Sequence, residues 1–158
     1  MNRARVLGAL GALGAAAVAG RPSPAPAQLS SSVRLRIYGP ARRMMGPDKL
    51  PHVAYVPSEF EVEANRLITV TVVNEDHEYH TMTCPGLAID QEMMAADMDA
   101  RGKIVPVKTT FTFSAAQSGV YRWFCRYACD QQSHMWAMGA GYTGRGKEGF
   151  MSGRIIVI

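Results

Sequence analysis

The chain has 158 residues, 17 Lys and Arg against 13 Asp and Glu, and a formal net charge of +4. That length suits one domain. The basic excess is not a nucleic-acid signal: Arg3, Arg5 and Arg21 lie in a leader-like segment without acidic residues, and removing them leaves about +1 with no basic patch interleaved with aromatics.

In chain order, Arg3 and Arg5 precede an uncharged apolar run, Val6 to Gly20, and Ala25-Pro26-Ala27 offers a small-x-small cleavage site. This is the layout of a secretory signal peptide, and the run is shorter than the roughly 20 residues a membrane-spanning helix needs. Residues 1–27 are therefore assigned to the leader and 28–158 to one exported, periplasmic domain. An uncleaved anchor is the alternative, and only then is a membrane a partner.

Val33, Leu35 and Ile37 alternate with Arg34, Arg36 and Tyr38, a half-buried strand. Residues 39–51, punctuated by Gly-Pro pairs, read as a loop. Phe60, Val62 and Ala64 alternate again, Asn65-Arg66 is a turn, and the β-branched run Leu67 to Val73 reads as a central strand ended by Asn74-Glu75-Asp76. A short helix is expected at 90–99. Strands follow at Lys108 to Ser114, Val120 to Phe124 and Arg154 to Ile158, and Gly139 to Gly149 is a flexible loop by composition. Many short strands with regular turn signals predict an all-β antiparallel sandwich or Greek-key barrel.

The chemistry concentrates between the last two strands. Cys125, Cys129, His134 and Met138 fall within 14 residues. Two thiolates four apart can bridge a pair of soft ions, imidazole suits copper, and a thioether makes a weak axial ligand. Zinc accepts Cys and His but rarely Met. A further ligand must come from elsewhere, and His80, just after the central strand, is the candidate. The competing reading of Cys125 and Cys129 is a short-loop disulfide. Taken singly, His134 reads as a surface histidine and Met138 as core. Cys84 reads as a small buried apolar residue, with an extra copper-proximal thiolate as the sharper alternative. His77 reads as a surface residue or one bonded to a ligand, and His52 carries no role. Met93, Met94 and Met98 read as a packed or partner-facing apolar surface.

Residues 56–158 resemble the CuA cupredoxin domain of cytochrome c oxidase subunit II and of nitrous-oxide reductase. That family has a Cys-x3-Cys-x3-His-x2-Met loop after Gly-x-Tyr and an aromatic strand, and an upstream ligand His followed by x4-Pro-x-Leu. Here Gly119-Val-Tyr121, Cys125-x3-Cys129 and His80-x4-Pro85-Gly-Leu87 match. Two departures stand out. Four residues, not three, separate Cys129 from His134, and residues 139–150 intervene before Met151-Ser-Gly153-Arg154, which resembles the strand after the family's ligand methionine.

The resemblance implies a cupredoxin-like Greek-key fold. It implies a copper centre held by His80, Cys125, the Tyr127 backbone carbonyl, Cys129, His134 and Met138, with Met151 as the alternative thioether. It favours two copper ions over one. It implies electron transfer with a redox partner, such as a c-type cytochrome or a terminal oxidase or reductase, by a carrier or subunit rather than a stand-alone enzyme. Trp123, Tyr121 and Trp136 flank the site, as a docking surface, a tunnelling route or core. A periplasmic copper-delivery protein, and a mononuclear cupredoxin using one Cys with His80, His134 and Met151, are the alternatives.

Overall fold

The computed structural model describes residues 30–39, 44–46, 48–130, 137 and 150–158. Period-2 patterning builds its first sheet, because successive side chains on a strand point to opposite faces. Strand β1 (Ser30–Tyr38) buries Leu35 and Ile37, and β6 (Leu67–Asn74) buries Ile68, Val70 and Val72. The two pair in parallel, Leu35 opposite Val72. Further strands in chain order are β2 (Met44–Met45), β3 (Pro51–His52), β4 (Ala54–Val56) and β5 (Glu59–Val62). After β6 come β7 (His80–Cys84), β8 (Ile89–Met93), β9 (Asp97–Met98), β10 (Ile104–Val105), β11 (Val107–Phe113), β12 (Gly119–Phe124) and β13 (Ser152–Val157).

One sheet has the order β11-β6-β1-β4 and the other β5-β13-β12-β7-β8, with two small hairpins, β2-β3 and β9-β10. Their apolar faces meet in one core. Tyr55 on β4 packs edge-on against Trp123 on β12, ring centres 4.8 Å apart, and both are fully buried. Such a pair adds about 0.5–1.5 kcal/mol beyond its area. Among the described residues, no helix is long and apolar enough to cross a membrane. The leader assigned to residues 1–27 lies outside the described residues.

Two expectations need correction. Residues 90–99 form no helix; Ile89–Met93 is a strand paired with β7, His80 opposite Met93. Ile89 and Met93 are both buried, and a spacing of four puts two residues on one face of either a helix or a strand. Pairing with β7 decides between them. The 39–51 loop also contains β2 and part of β3, pieces too short to show a period.

Strand β13 is held close to the neighbouring backbone. The Ser58 carbonyl accepts from Arg154 N at 3.1 Å and from Trp123 Nε1 at 3.0 Å, and a Cβ at Gly153 would lie 1.7 Å from that carbonyl oxygen. Backbone cannot step aside as a flexible side chain does. Gly153→Ala is therefore expected to cost at least about 1–3 kcal/mol, the usual penalty of overpacking. Thermal unfolding checks this, and an unchanged melting temperature would refute it.

Candidate metal centre

The loop between β6 and β7 is built by one side chain. Asn74 ends β6, paired in register with Ile37 and Val107, and its side chain is buried. Its amide donates to the carbonyls of Glu78 (3.0 Å) and Met94 (2.9 Å), and its side-chain oxygen accepts from Asp76 N (2.9 Å). The loop so held carries Asp76, and β7 opens with His80. Both are buried, and His80 Nε2 donates to Asp76 Oδ2 at 2.9 Å. A carboxylate on one ring nitrogen fixes the tautomer and aims the other. That other nitrogen, Nδ1, lies 3.1 Å from Cys129 Sγ. Gly39 leaves the space Asp76 occupies, since a Cβ there would sit 2.4 Å from Asp76 Oδ1.

The two cysteines follow β12, which pairs with β7 through Phe124 and Thr83. Cys125 N donates to the Met151 carbonyl at 2.8 Å. Thr81 is the hub beneath the loop. Its N–H donates to Cys125 Sγ (3.3 Å), its hydroxyl accepts from Arg126 N (2.9 Å), and its carbonyl accepts from the Tyr55 hydroxyl (3.1 Å). Outside, Arg126 Nε donates to Asp90 Oδ1 at 3.0 Å and the Tyr127 hydroxyl donates to Glu92. Both tie the loop to β8. The Tyr127 carbonyl turns inward, 3.9 Å from Cys125 Sγ, and accepts from Cys129 N at 2.9 Å. The Tyr79 carbonyl lies 3.5 Å from Cys129 Sγ.

His80, Cys125 and Cys129 thus converge, all buried, with their donor atoms within 4.8 Å of one another. All three cysteines are free, and Cys125 and Cys129 sulfurs stand 3.4 Å apart. A hydrogen bond from the Cys129 thiol brings the Cys125 pKa down to about 4, against the opposing effect of burial and with help from His80 and the Thr81 amide. Cys129 is held above the ordinary thiol range by its bond to Cys125 and by burial. Burial pushes the His80 imidazole down, but its bond to Asp76 and the nearby Cys125 sulfur outweigh that and raise it. The site therefore presents one soft anion, a second thiol ready to ionise beside a cation, and an aimed imidazole. That donor set fits a soft or borderline metal.

His134, Met138 and Trp136 lie outside the described residues. Met151, the alternative thioether, is fully buried at the head of β13. Cys84 is buried on β7 with its thiol pushed up by burial, and His77 is exposed. Trp123 is core. His52, expected to carry no role, is instead fully buried between two carboxylates, Asp48 and Asp130. Asp76 and Asp130 were not singled out by sequence. Asp76 stands four residues before His80, Asp48 four before His52, and Asp130 directly follows Cys129, but spacings of that kind are common; His52 is 78 residues from Asp130 in sequence.

No family model matches the chain and no curated protein matches it. Among solved structures it is similar to a blue copper oxidase from Nitrosomonas europaea, with TM-score 0.50, 17% identity, and coverage of 82% of this chain and 39% of that one. It is likewise similar to a multicopper oxidase from Pseudomonas thermotolerans, with TM-score 0.50, 12% identity, and coverage of 82% and 30%. Auracyanin from Roseiflexus castenholzii gives TM-score 0.48 at 16% identity over 83% of this chain and 98% of that one. The fold is cupredoxin-like and all-β. The chain spans well under half of each of the two oxidases, and these likenesses carry the fold alone.

Two outcomes follow from the site's geometry. In metal-free protein, one thiolate per chain is expected by ultraviolet absorbance at pH 6, since thiolate is the reactive and absorbing form; its signal falls as pH drops through about 4. If no thiolate appears below about pH 8, the ordinary thiol range, the shared-proton pair is wrong. Asp76→Asn is expected to weaken metal binding by about 10–100-fold, as loss of a partner behind a ligating imidazole does, read by competition with a chelator of known affinity.

Proposed function

We propose that the chain is a periplasmic copper protein that transfers electrons through a CuA-like centre holding two copper ions. The buried triangle of His80, Cys125 and Cys129 carries this reading. Cys125 and Cys129, their sulfurs 3.4 Å apart, would hold the copper ions together with His80. Such a centre supplies one-electron chemistry with little rearrangement. The protein's residues hold the donors at fixed positions, exclude water, and keep the Cys125 proton off at neutral pH.

His80 is the upstream ligand through Nδ1, and the Tyr127 carbonyl faces the sulfurs from the loop. His134 supplies the second imidazole. For the thioether, Met138 is the nearer residue in sequence, but Met151 is supported by its burial and by the hydrogen bond that joins its carbonyl to Cys125 N. The leader-like pattern of residues 1–27 supports export, and a c-type cytochrome or a terminal oxidase or reductase is the partner class the chemistry suits.

Metal analysis with electron paramagnetic resonance tests the reading. Two coppers per chain, with hyperfine structure from two equivalent nuclei, are expected. One copper on a single thiolate would mean a mononuclear cupredoxin. One colourless Cu(I), quickly lost to a chelator, would mean copper delivery; either result overturns the proposal. Met151→Leu is expected to shift the reduction potential while Met138→Leu does not.

A further inference from the structure

Directly after Cys129, Asp130 adopts φ 63°, a left-handed conformation that few residues other than Gly, Asn and Asp take without strain. Its carboxylate is fully buried and well satisfied. Oδ2 accepts from His52 at 2.8 Å and from Ala137 N at 2.9 Å, and Oδ1 accepts from Val53 N at 3.3 Å. One carboxylate therefore joins three chain segments: the end of the cysteine loop, residue 137, and the β3-β4 region.

His52 is equally buried. Its Nδ1 faces Asp130, and its Nε2 faces Asp48 Oδ1 at 2.9 Å. Ionised carboxylates only accept hydrogen bonds, so serving both requires an N–H on each ring nitrogen. The Phe150 ring packs edge-on against it, centres 5.4 Å apart. A buried ionic pair is costly to keep and seldom stabilises a fold on balance; its better-attested use is to specify one arrangement. None of these groups belongs to the sulfur and imidazole donor set.

We propose that His52 and Asp130 are positioning residues: a clamp that fixes the backbone leaving Cys129 and so holds the Cys129 sulfur in the site. The clamp rests on the metal-centre reading only for its effect on metal, not for its effect on the thiols. Asp130→Gly keeps the left-handed turn and deletes the carboxylate. His52→Gln keeps one donor toward Asp130 and loses the bridge.

The test measures two rates in the full chain: removal of copper by a chelator, and reaction of the thiols with an aromatic disulfide in metal-free protein. In Asp130→Gly both are expected to rise about tenfold or more, the scale seen when partners behind ligands are lost, with His52→Gln smaller in the same direction. A core variant remote from the loop, Val157→Ala, matched for loss of melting temperature, serves as control. The clamp is overturned if Asp130→Gly leaves both rates unchanged, or if it changes them no more than the core variant does. If the unmodified protein holds no copper, the metal-centre reading fails while the thiol rates still decide the clamp.

Discussion

Two buried sulfur atoms 3.4 Å apart cannot both carry a charge unless a cation joins them. The first charge is eased by the neighbouring thiol, the Thr81 amide and the His80 imidazole, and Cys125 ionises at about 4. The second is refused, and Cys129 keeps its proton. Mutual repulsion at close range in low dielectric splits the two ionisations widely. Most of the surrounding structure answers that constraint. Asp76 accepts from His80 and aims its ring, Thr81 lends its amide, and Tyr55, whose own hydroxyl is held neutral by burial and by the two sulfurs, closes the site from the facing sheet.

The donors nonetheless come from one sheet. His80 begins β7, and the cysteines follow β12, its antiparallel neighbour. The opposite sheet contributes Asn74 and the loop it pins, not a donor atom of the triangle. The site is thus a seam between two hydrogen-bonded strands, closed over by a loop tied down at Asp90, Glu92, the Met151 carbonyl and His52. Placement of this kind leaves the donors little room to relax.

Much of the fold was legible because alternation is a strong local signal: Leu35 and Ile37, or Val70 and Val72, face the core as their spacing predicts. It failed at Ile89 and Met93, where a four-residue spacing satisfies two periods and only the partner strand decides. At the site, Cys125 and Cys129 were readable from their own spacing and His80 from its Pro-x-Leu context, and the three meet in the structure. The residues that aim and hold them were not readable. Asp76, Asp130 and Thr81 act through hydrogen bonds across strands, and such contacts leave no period. His52 is the sharpest case: Asp48 stands four residues before it, a common spacing, and nothing local points to Asp130, yet the fold gives it both carboxylates and no exposed surface.

Cys84 lies on the same strand as His80, buried, with its thiol pushed toward the neutral form. Thiolate, not thiol, carries disulfide exchange, so the folded chain takes its odd cysteine out of that chemistry. The unfolded chain has no such protection. There, three thiols of ordinary acidity compete, and a bridge from Cys84 to Cys125 or Cys129 would take a sulfur from the site. The buried fold, rather than the thiols themselves, is therefore what keeps Cys84 apart from the sulfur pair.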